Sequence, residues 1–246
     1  MVSPPLLLGL SLAVCAIAVL YSMVGHGGAT GYIAVMTLAG FLPETIRPVA
    51  LVLNVFVASI ALPRFARAHR FSWKHAWPFC VAAVPAAFLG GRTQLAAPIF
   101  GALLGVILIA SALRLLFPMR PPDETSHRSI PAASAAGAGI GFLSGLTGTG
   151  GGIFLSPLLL AMRWCDERQS AAIVALFVLV NSLAGLTGVL LVRPHLPLFT
   201  LPLVAAAAVG GLVGSRIGSR ILSLTAIRRV LAAVLLLAAL KLILVS

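Results

Sequence analysis

GHGGATGYIAVMTLAGFL at residues 25–42 and GTGGGIFLSPLLLAMR at residues 148–163 decide how this chain folds. In each, a cluster of glycines follows a long apolar segment and precedes an apolar run of only about a dozen residues, too short to cross a hydrocarbon core of about 30 Å as a regular helix. Three glycines in a row at 150–152 weaken a helix far more than close packing requires. Each stretch therefore reads as a helix broken at glycine and resumed as a half-length or re-entrant helix. Sliding the chain over itself by 123 residues places Gly25, Gly27 and Gly28 on Gly148, Gly150 and Gly151, Glu44 on Glu167, and Ser59 on Ser182. That register reads as an internal duplication.

Working outward, ten apolar segments group as five plus five. The first group spans 5–24, 30–42, 46–63, 77–90 and 97–117; the second spans 132–147, 152–163, 169–192, 198–215 and 225–245. Between them RPPDETSHRSIP at 120–131 is the most polar stretch, rich in proline and carrying both signs of charge, and reads as a linker. The expected organisation is a first membrane repeat at 1–117, a cytoplasmic linker at 118–131 and a second membrane repeat at 132–246. Five crossings is an odd number, so similar halves must be inverted relative to each other, the architecture of many secondary transporters. The expected fold class is an all-α polytopic membrane protein of two five-segment inverted repeats, with about 8–10 transmembrane helices including the two short ones.

Composition agrees. Of the 246 residues 60% are apolar and 9% charged, with a mean hydropathy of +1.11, which leaves too few polar residues to coat a water-facing surface. The 17 Lys and Arg against 5 Asp and Glu lie between apolar runs, where they mark cytoplasmic loops rather than a nucleic-acid surface. If all ten segments cross, one face collects 13 basic residues, among them Arg64, Arg67, Arg70 and Lys74, against four on the other, Arg47, Arg92, Arg193 and Lys241. If the two short segments turn back, the division is nine against eight. The asymmetry favours ten crossings, with both termini outside the cytoplasm. The run from Leu6 to Val24 follows no Lys or Arg and reads as a membrane helix rather than a signal peptide. Cys15, Cys80 and Cys165 show no paired spacing, so neither a disulfide framework nor a metal site is expected.

The glycine breaks carry the candidate chemistry. Unpaired backbone N–H groups at the start of the resumed helix bear partial positive charge and can receive an anion without a buried Lys or Arg. Two such breaks in an inverted repeat would enter from opposite faces and meet near the midplane. The candidate substrate-binding set is Gly25, His26, Gly27 and Gly28 with Gly148, Thr149, Gly150, Gly151 and Gly152, joined by Asn54, Asn181 and Ser182. The plainer reading of the glycines is close helix packing. His26 is the sole ionisable side chain in a break; it can donate to an anion, carry a proton, or be a neutral ring bonded to a nearby carbonyl. Asn54 and Asn181 lie deep in apolar helices and should face the protein interior or a wet cavity, as substrate contacts or as interhelical glue. Glu44 and Glu167 stand at helix starts, where negative charge complements the dipole. RFARAHRFSWKHAW at 64–77 reads as a cytoplasmic loop ending in interfacial Trp.

SMVGHGGATGYIAVM at 22–36, LVLNVFVASI at 51–60 followed by RFARAHRFSWKHAWPF, VPAAFLGG at 84–91, IGFLSGLTGTGGGIFLSPLLL at 140–160 and ALFVLVNSLAGL at 175–186 together resemble the sulfite exporter TauE/SafE family of membrane proteins. The resemblance covers nearly the whole chain, in both halves and in order. It implies an inner-membrane permease for sulfur-containing anions such as sulfite, sulfoacetate or other organosulfonates. The family's Gly-rich motif matches most fully at Gly148, Gly150, Gly151, Gly152 and Pro157, and more loosely in the first half, where Ala29 replaces the last Gly and Ala34 stands in place of the Pro.

A secondary anion transporter is the favoured function. There is no G-x-x-x-x-G-K-[ST] and the chain has two lysines, which gives ATP-driven pumping no support. A channel or another small-anion permease is the runner-up. An intramembrane enzyme needs a nucleophile–base pair or a metal cluster within the spans, where only His26 is available, so no catalytic residue and no cofactor are expected. The expected partners are a small anionic substrate and the lipid bilayer, not nucleic acid; a homodimer is left open.

Overall fold

The computed structural model describes residues 3–68, 71–94, 97–117, 129–162, 164–165, 167–218, 235–236 and 240. Among these residues lie nine helices and no strand: α1 (Pro4–Ser22), α2 (Ala29–Leu38), α3 (Pro43–Ala68), α4 (Trp73–Arg92), α5 (Ala97–Leu116), α6 (Ile130–Thr147), α7 (Gly152–Ala161), α8 (Glu167–Val192) and α9 (Thr200–Gly218). Each corresponds to one of the first nine apolar segments. The tenth, 225–245, and most of the linker, 118–128, lie outside the described residues apart from 235–236 and 240. Helix α3 is longer than its apolar run at both ends. Pro43 and Glu44 form a first turn that suits a helix N-terminus, and the helix continues past Pro63 into Arg64 and Arg67. Pro4–Ser22, Pro43–Ala68, Ile130–Thr147, Gln169–Val192 and Thr200–Gly218 are long and apolar enough to cross a membrane. The chain is a polytopic all-α membrane protein.

The two short segments are helices of 10 residues each, about 15 Å long, half the hydrocarbon thickness. Every residue of α2 except Val35 and Leu38 is buried, as befits a helix apolar all round. It sits in a core shared by α1, α3, α5 and α9 through residues such as Val14, Ile33, Leu53, Leu104 and Leu203. Helix α7 occupies a second core with α4, α6 and α8, where Leu155 and Leu159 meet Phe79, Ala133 and Phe177.

Residue pairs along the helices fix their directions. On α1 and α9 the successive neighbours are Cys15 with Gly210, Val19 with Gly214 and Met23 with Gly218, so these helices run parallel. Helix α3 runs with α9, since Val57 meets Gly211 and Arg64 Nη1 donates to Ser215 Oγ at 2.9 Å. Helices α4 and α6 are also parallel, through Phe79 with Gly137, Ala83 with Gly141 and Ala87 with Gly145. Helices α3 and α8 are antiparallel: Glu44 pairs with Arg193, Leu51 meets Gly185, and Asn54 meets Ser182. Because α1 and α3 point the same way, the break and α2 between them reverse the chain once. The break and α7 do the same between the parallel helices α6 and α8. Both short segments thus carry the chain across, as the basic-residue asymmetry requires, and neither is a re-entrant hairpin.

Two glycine ladders at four-residue spacing let helix backbones touch, which is how small residues replace the missing hydrophobic drive between membrane helices. One, on α6, faces α4; the other, on α9, faces α1. Exchanging the halves maps the α1–α9 pair onto the α6–α4 pair, α2 on α3 onto α7 on α8, and leaves the central α3–α8 pair in place. This is the arrangement two inverted halves produce. The halves pack through one another, with α4 of the first held between α6 and α8 of the second.

Candidate functional site

Both breaks are built on left-handed glycines in the same register. Gly25 and Gly148 have φ of 77° and 82°, and Gly28 and Gly151 have φ of 98° and 77°, a region that other residues rarely enter. Gly148 caps α6, its N–H donating to Ser144 O at 2.8 Å, and Gly151 is the N-cap of α7. In the first half α1 ends in turns in which the His26 N–H donates to Tyr21 O at 3.0 Å, and Gly28 is the N-cap of α2. Neither N-cap supplies a side chain to the turn that follows. The first N–H groups of α2 and α7 therefore keep their donor capacity and partial positive charge.

The breaks enter from opposite ends. Gly25 lies against Ala171, in the second turn of α8, whereas Gly148 lies against Arg47, in the second turn of α3. Gly27 and Gly150 both close on the amide of Asn54, in the middle of α3. From there α2 and α7 run apart, so their N-termini face each other at the centre of the bundle.

Between them is a small cavity of about 10 Å³, the room of a single water, lined by Tyr21, His26, Gly27, Gly28, Ala29, Thr30, Thr149, Gly152, Ile153 and Val178. No Lys, Arg, Asp or Glu is among these residues. His26 and Thr149, matched by the 123-residue register, stand on the same cavity. The His26 ring satisfies the plainer expectation as well: Nδ1–H donates to Val24 O at 3.0 Å. With Nδ1 the donor, Nε2 donates only from the imidazolium. Thr30 Oγ1 donates to the Tyr21 hydroxyl at 3.0 Å, and Thr147 and Thr149 hydroxyls share a hydrogen at 3.1 Å.

Of the residues expected from the sequence, His26, Gly27, Gly28, Thr149 and Gly152 line the cavity. Asn54, Ser182 and Gly150 form a polar cluster behind it, in which Asn54 Nδ2 donates to Ser182 Oγ at 3.3 Å and Asn54 Oδ1 has no hydrogen-bond partner among the described residues. Gly25, Gly148 and Gly151 shape the breaks but pack against Ala171, Arg47 and Phe177 rather than on the cavity. Asn181 is fully buried away from the cavity lining, and neither polar atom of its side chain has a hydrogen-bond partner among the described residues. Sequence reasoning missed Tyr21, Ala29, Thr30, Ile153 and Val178. Tyr21 and Thr30 were within reach as polar residues flanking the break, whereas nothing distinguishes Val178 in an apolar helix. It also counted Arg47, at the start of the third apolar segment, only among the basic residues of one membrane face; the arginine is in α3, 8% exposed.

Glu44, in the first turn of α3, forms an ion pair with Arg193. Glu167 opens α8, and its side chain lies outside the described residues. Among the described residues there is no cluster of three or more His, Cys, Asp or Glu able to hold a metal ion.

The profile of the family described as Sulfite exporter TauE/SafE matches residues 10–242. The chain is 39% identical over 248 residues to the "Probable membrane transporter protein y4hK" of Sinorhizobium fredii (strain NBRC 101917 / NGR234), covering 96% of this chain and 98% of that protein. No solved structure matches it. Both breaks lie within the matched residues, and the protein belongs to the sulfite exporter TauE/SafE family, a family of membrane transporters.

Proposed function

We propose that this membrane transporter is a secondary carrier that exports a small sulfur oxyanion, of the sulfite or organosulfonate class, across the inner membrane, holding it between the N-termini of α2 and α7. The observation that carries the reading is the pair of uncapped helix N-termini facing each other across one cavity. Sulfur oxyanions present acceptor oxygens, and this lining offers backbone N–H groups, the Tyr21 and Thr149 hydroxyls and the His26 ring. It has no carboxylate for a substrate ammonium, which favours sulfonates without an amino group over taurine. Export needs no nucleotide: an interior-negative potential drives an anion outward with about 2.3 kcal/mol per charge per 100 mV.

The test is flux in proteoliposomes of the purified protein under an imposed potential, with sulfite, sulfoacetate, taurine, sulfate and chloride, and a Gly150→Leu control. A side chain at Gly150 collides with Asn54 in a backbone that disfavours any side chain. Selective, saturable, potential-responsive movement of a sulfur oxyanion, abolished in the control, is the expected result. Absence of flux for every anion under both polarities overturns the reading, and non-saturating flux turns it into a channel.

A further inference from the structure

The cation of Arg47 is buried without a carboxylate. Its only partners among the described residues are backbone carbonyls: Nε donates to Gly145 O at 3.0 Å, Nη1 to Thr93 O at 3.1 Å, and Nη2 to Gly90 O, Gly91 O and Gly145 O at 2.6, 2.8 and 2.7 Å. The nearest acid in sequence, Glu44, is engaged by Arg193. The acceptors belong to the ends of α4 and α6, whose last carbonyls lack partners within the helix and carry the negative pole of the dipole. A guanidinium has five N–H groups. Here the two hydrogens of Nη2 are shared among three carbonyls, while Nη1 uses one of its two. The cage is therefore unevenly filled, and it offers partial charges where an oxyanion would offer a full charge and bidentate geometry.

The position of this cage matters as much as its chemistry. Gly148 packs on Arg47 Cγ and its carbonyl, each 3.1 Å from where a Cβ would stand, and the next residue, Thr149, lines the central cavity. Arg47 thus stands between the cavity and the end of the bundle that carries Glu44 and Arg193. Its bonds tie α3 to α4 and α6, which are joined to each other backbone to backbone along the Gly137–Gly141–Gly145 ladder. A pair so joined moves against α3 as one body, and the carbonyl bonds of Arg47 are what such a movement breaks.

We propose that Arg47 is the gate residue on this side of the path: through the carbonyls it latches the α4–α6 pair over the central cavity, and it exchanges those carbonyls for the anion as the anion passes. The latch rests on the chain being a membrane transporter, and the exchange rests on the anion reading above. Arg47 is a positioning residue in the closed form and touches substrate only when the latch opens.

The experiment uses the full chain in proteoliposomes with Thr149→Cys as a reporter in the cavity, its labelling by an impermeant anionic thiol reagent measured from each face against the same protein without the added cysteine. Arg47→Gln is expected to raise the labelling rate at least tenfold from the Glu44–Arg193 face and to leave the opposite face unchanged. Arg47→Lys, which keeps the charge but reaches fewer carbonyls, is expected to fall between. In the Arg47 parent, saturating methanesulfonate, a sulfur oxyanion that does not react with the thiol reagent, is expected to accelerate labelling from that face, and in Arg47→Gln to have no effect. An unchanged rate in Arg47→Gln overturns the proposal, as does an equal rise from both faces, which is what a merely loosened bundle gives. If Arg47→Gln does not fold, the parent alone decides: no acceleration by methanesulfonate from that face overturns the exchange. Wild-type protein that moves no anion would sink the anion reading while the labelling of Arg47→Gln still decides the latch.

Discussion

Asn54 of α3 donates from Nδ2 to Ser182 Oγ of α8 at 3.3 Å, and on the same amide Gly27 of the first break and Gly150 of the second both close. One side chain therefore ties the two central helices and both breaks together. Removing it with Asn54→Ala is expected to cut anion flux at least tenfold, while the lost hydrogen bond costs only about 1 kcal/mol of stability. Ser182→Ala leaves the Asn54 amide without its acceptor and is expected to cost about 1–3 kcal/mol. The two substitutions share one bond, so the double variant should be more stable than the sum of the singles implies. Thermal unfolding of the four proteins in one detergent measures this, and strict additivity would mean the bond contributes nothing.

The glycine ladder on α6 makes a sharper stability prediction because it contains its own control. A methyl at Gly141 would stand 2.5 Å from Ala83 O and 2.7 Å from Ala83 Cα, both backbone atoms that cannot rotate aside, whereas at Gly139 nothing lies within 4 Å. Gly141→Ala is expected to destabilise by about 1–3 kcal/mol through forced separation of α4 and α6. Gly139→Ala should be neutral or stabilising by up to about 1 kcal/mol, the gain in helix propensity. Equal melting shifts for the two would show that the ladder is not a contact surface.

The breaks were legible in the sequence because glycine at φ > 0 has few substitutes, so Gly25, Gly28, Gly148 and Gly151 left a register that survives translation by 123 residues. Helix positions were legible because hydrocarbon thickness sets a minimum length and loop charge sets a side. What could not be read were partnerships across the halves. Asn54 and Ser182 are 128 residues apart, and nothing in an apolar helix says which face a lone amide turns. The partners of Arg47 were hidden for a related reason. A cation near a helix start counts as a marker of one membrane face until the carbonyl ends of α4 and α6, dozens of residues away, are seen to converge on it.

Orientation follows from helix directions plus loop charge. The antiparallel α3–α8 pair puts Arg193 beside Glu44 at one end and leaves Arg67, in the last turn of α3, at the other. Both arginines are exposed. In whole cells Arg193→Cys is expected to react with an impermeant thiol reagent from outside, and Arg67→Cys only after the membrane is permeabilised. The reverse pattern would invert the molecule without changing its fold. Reaction of both from one side would contradict the direction assigned to α3.

His26 lines the cavity with its Nδ1–H donated to Val24 O. If the ring meets the anion, a polar replacement that carries N–H donors serves better at this position than an apolar one. The substrate for the test is methanesulfonate, a simple sulfonate monoanion. His26→Gln is expected to keep methanesulfonate flux in proteoliposomes within a few-fold of wild type at a fixed potential, and His26→Leu to lose about tenfold, the worth of one hydrogen bond to a charged group. Equal flux in His26→Leu and wild type would return His26 to the role of a ring that closes the turn after α1.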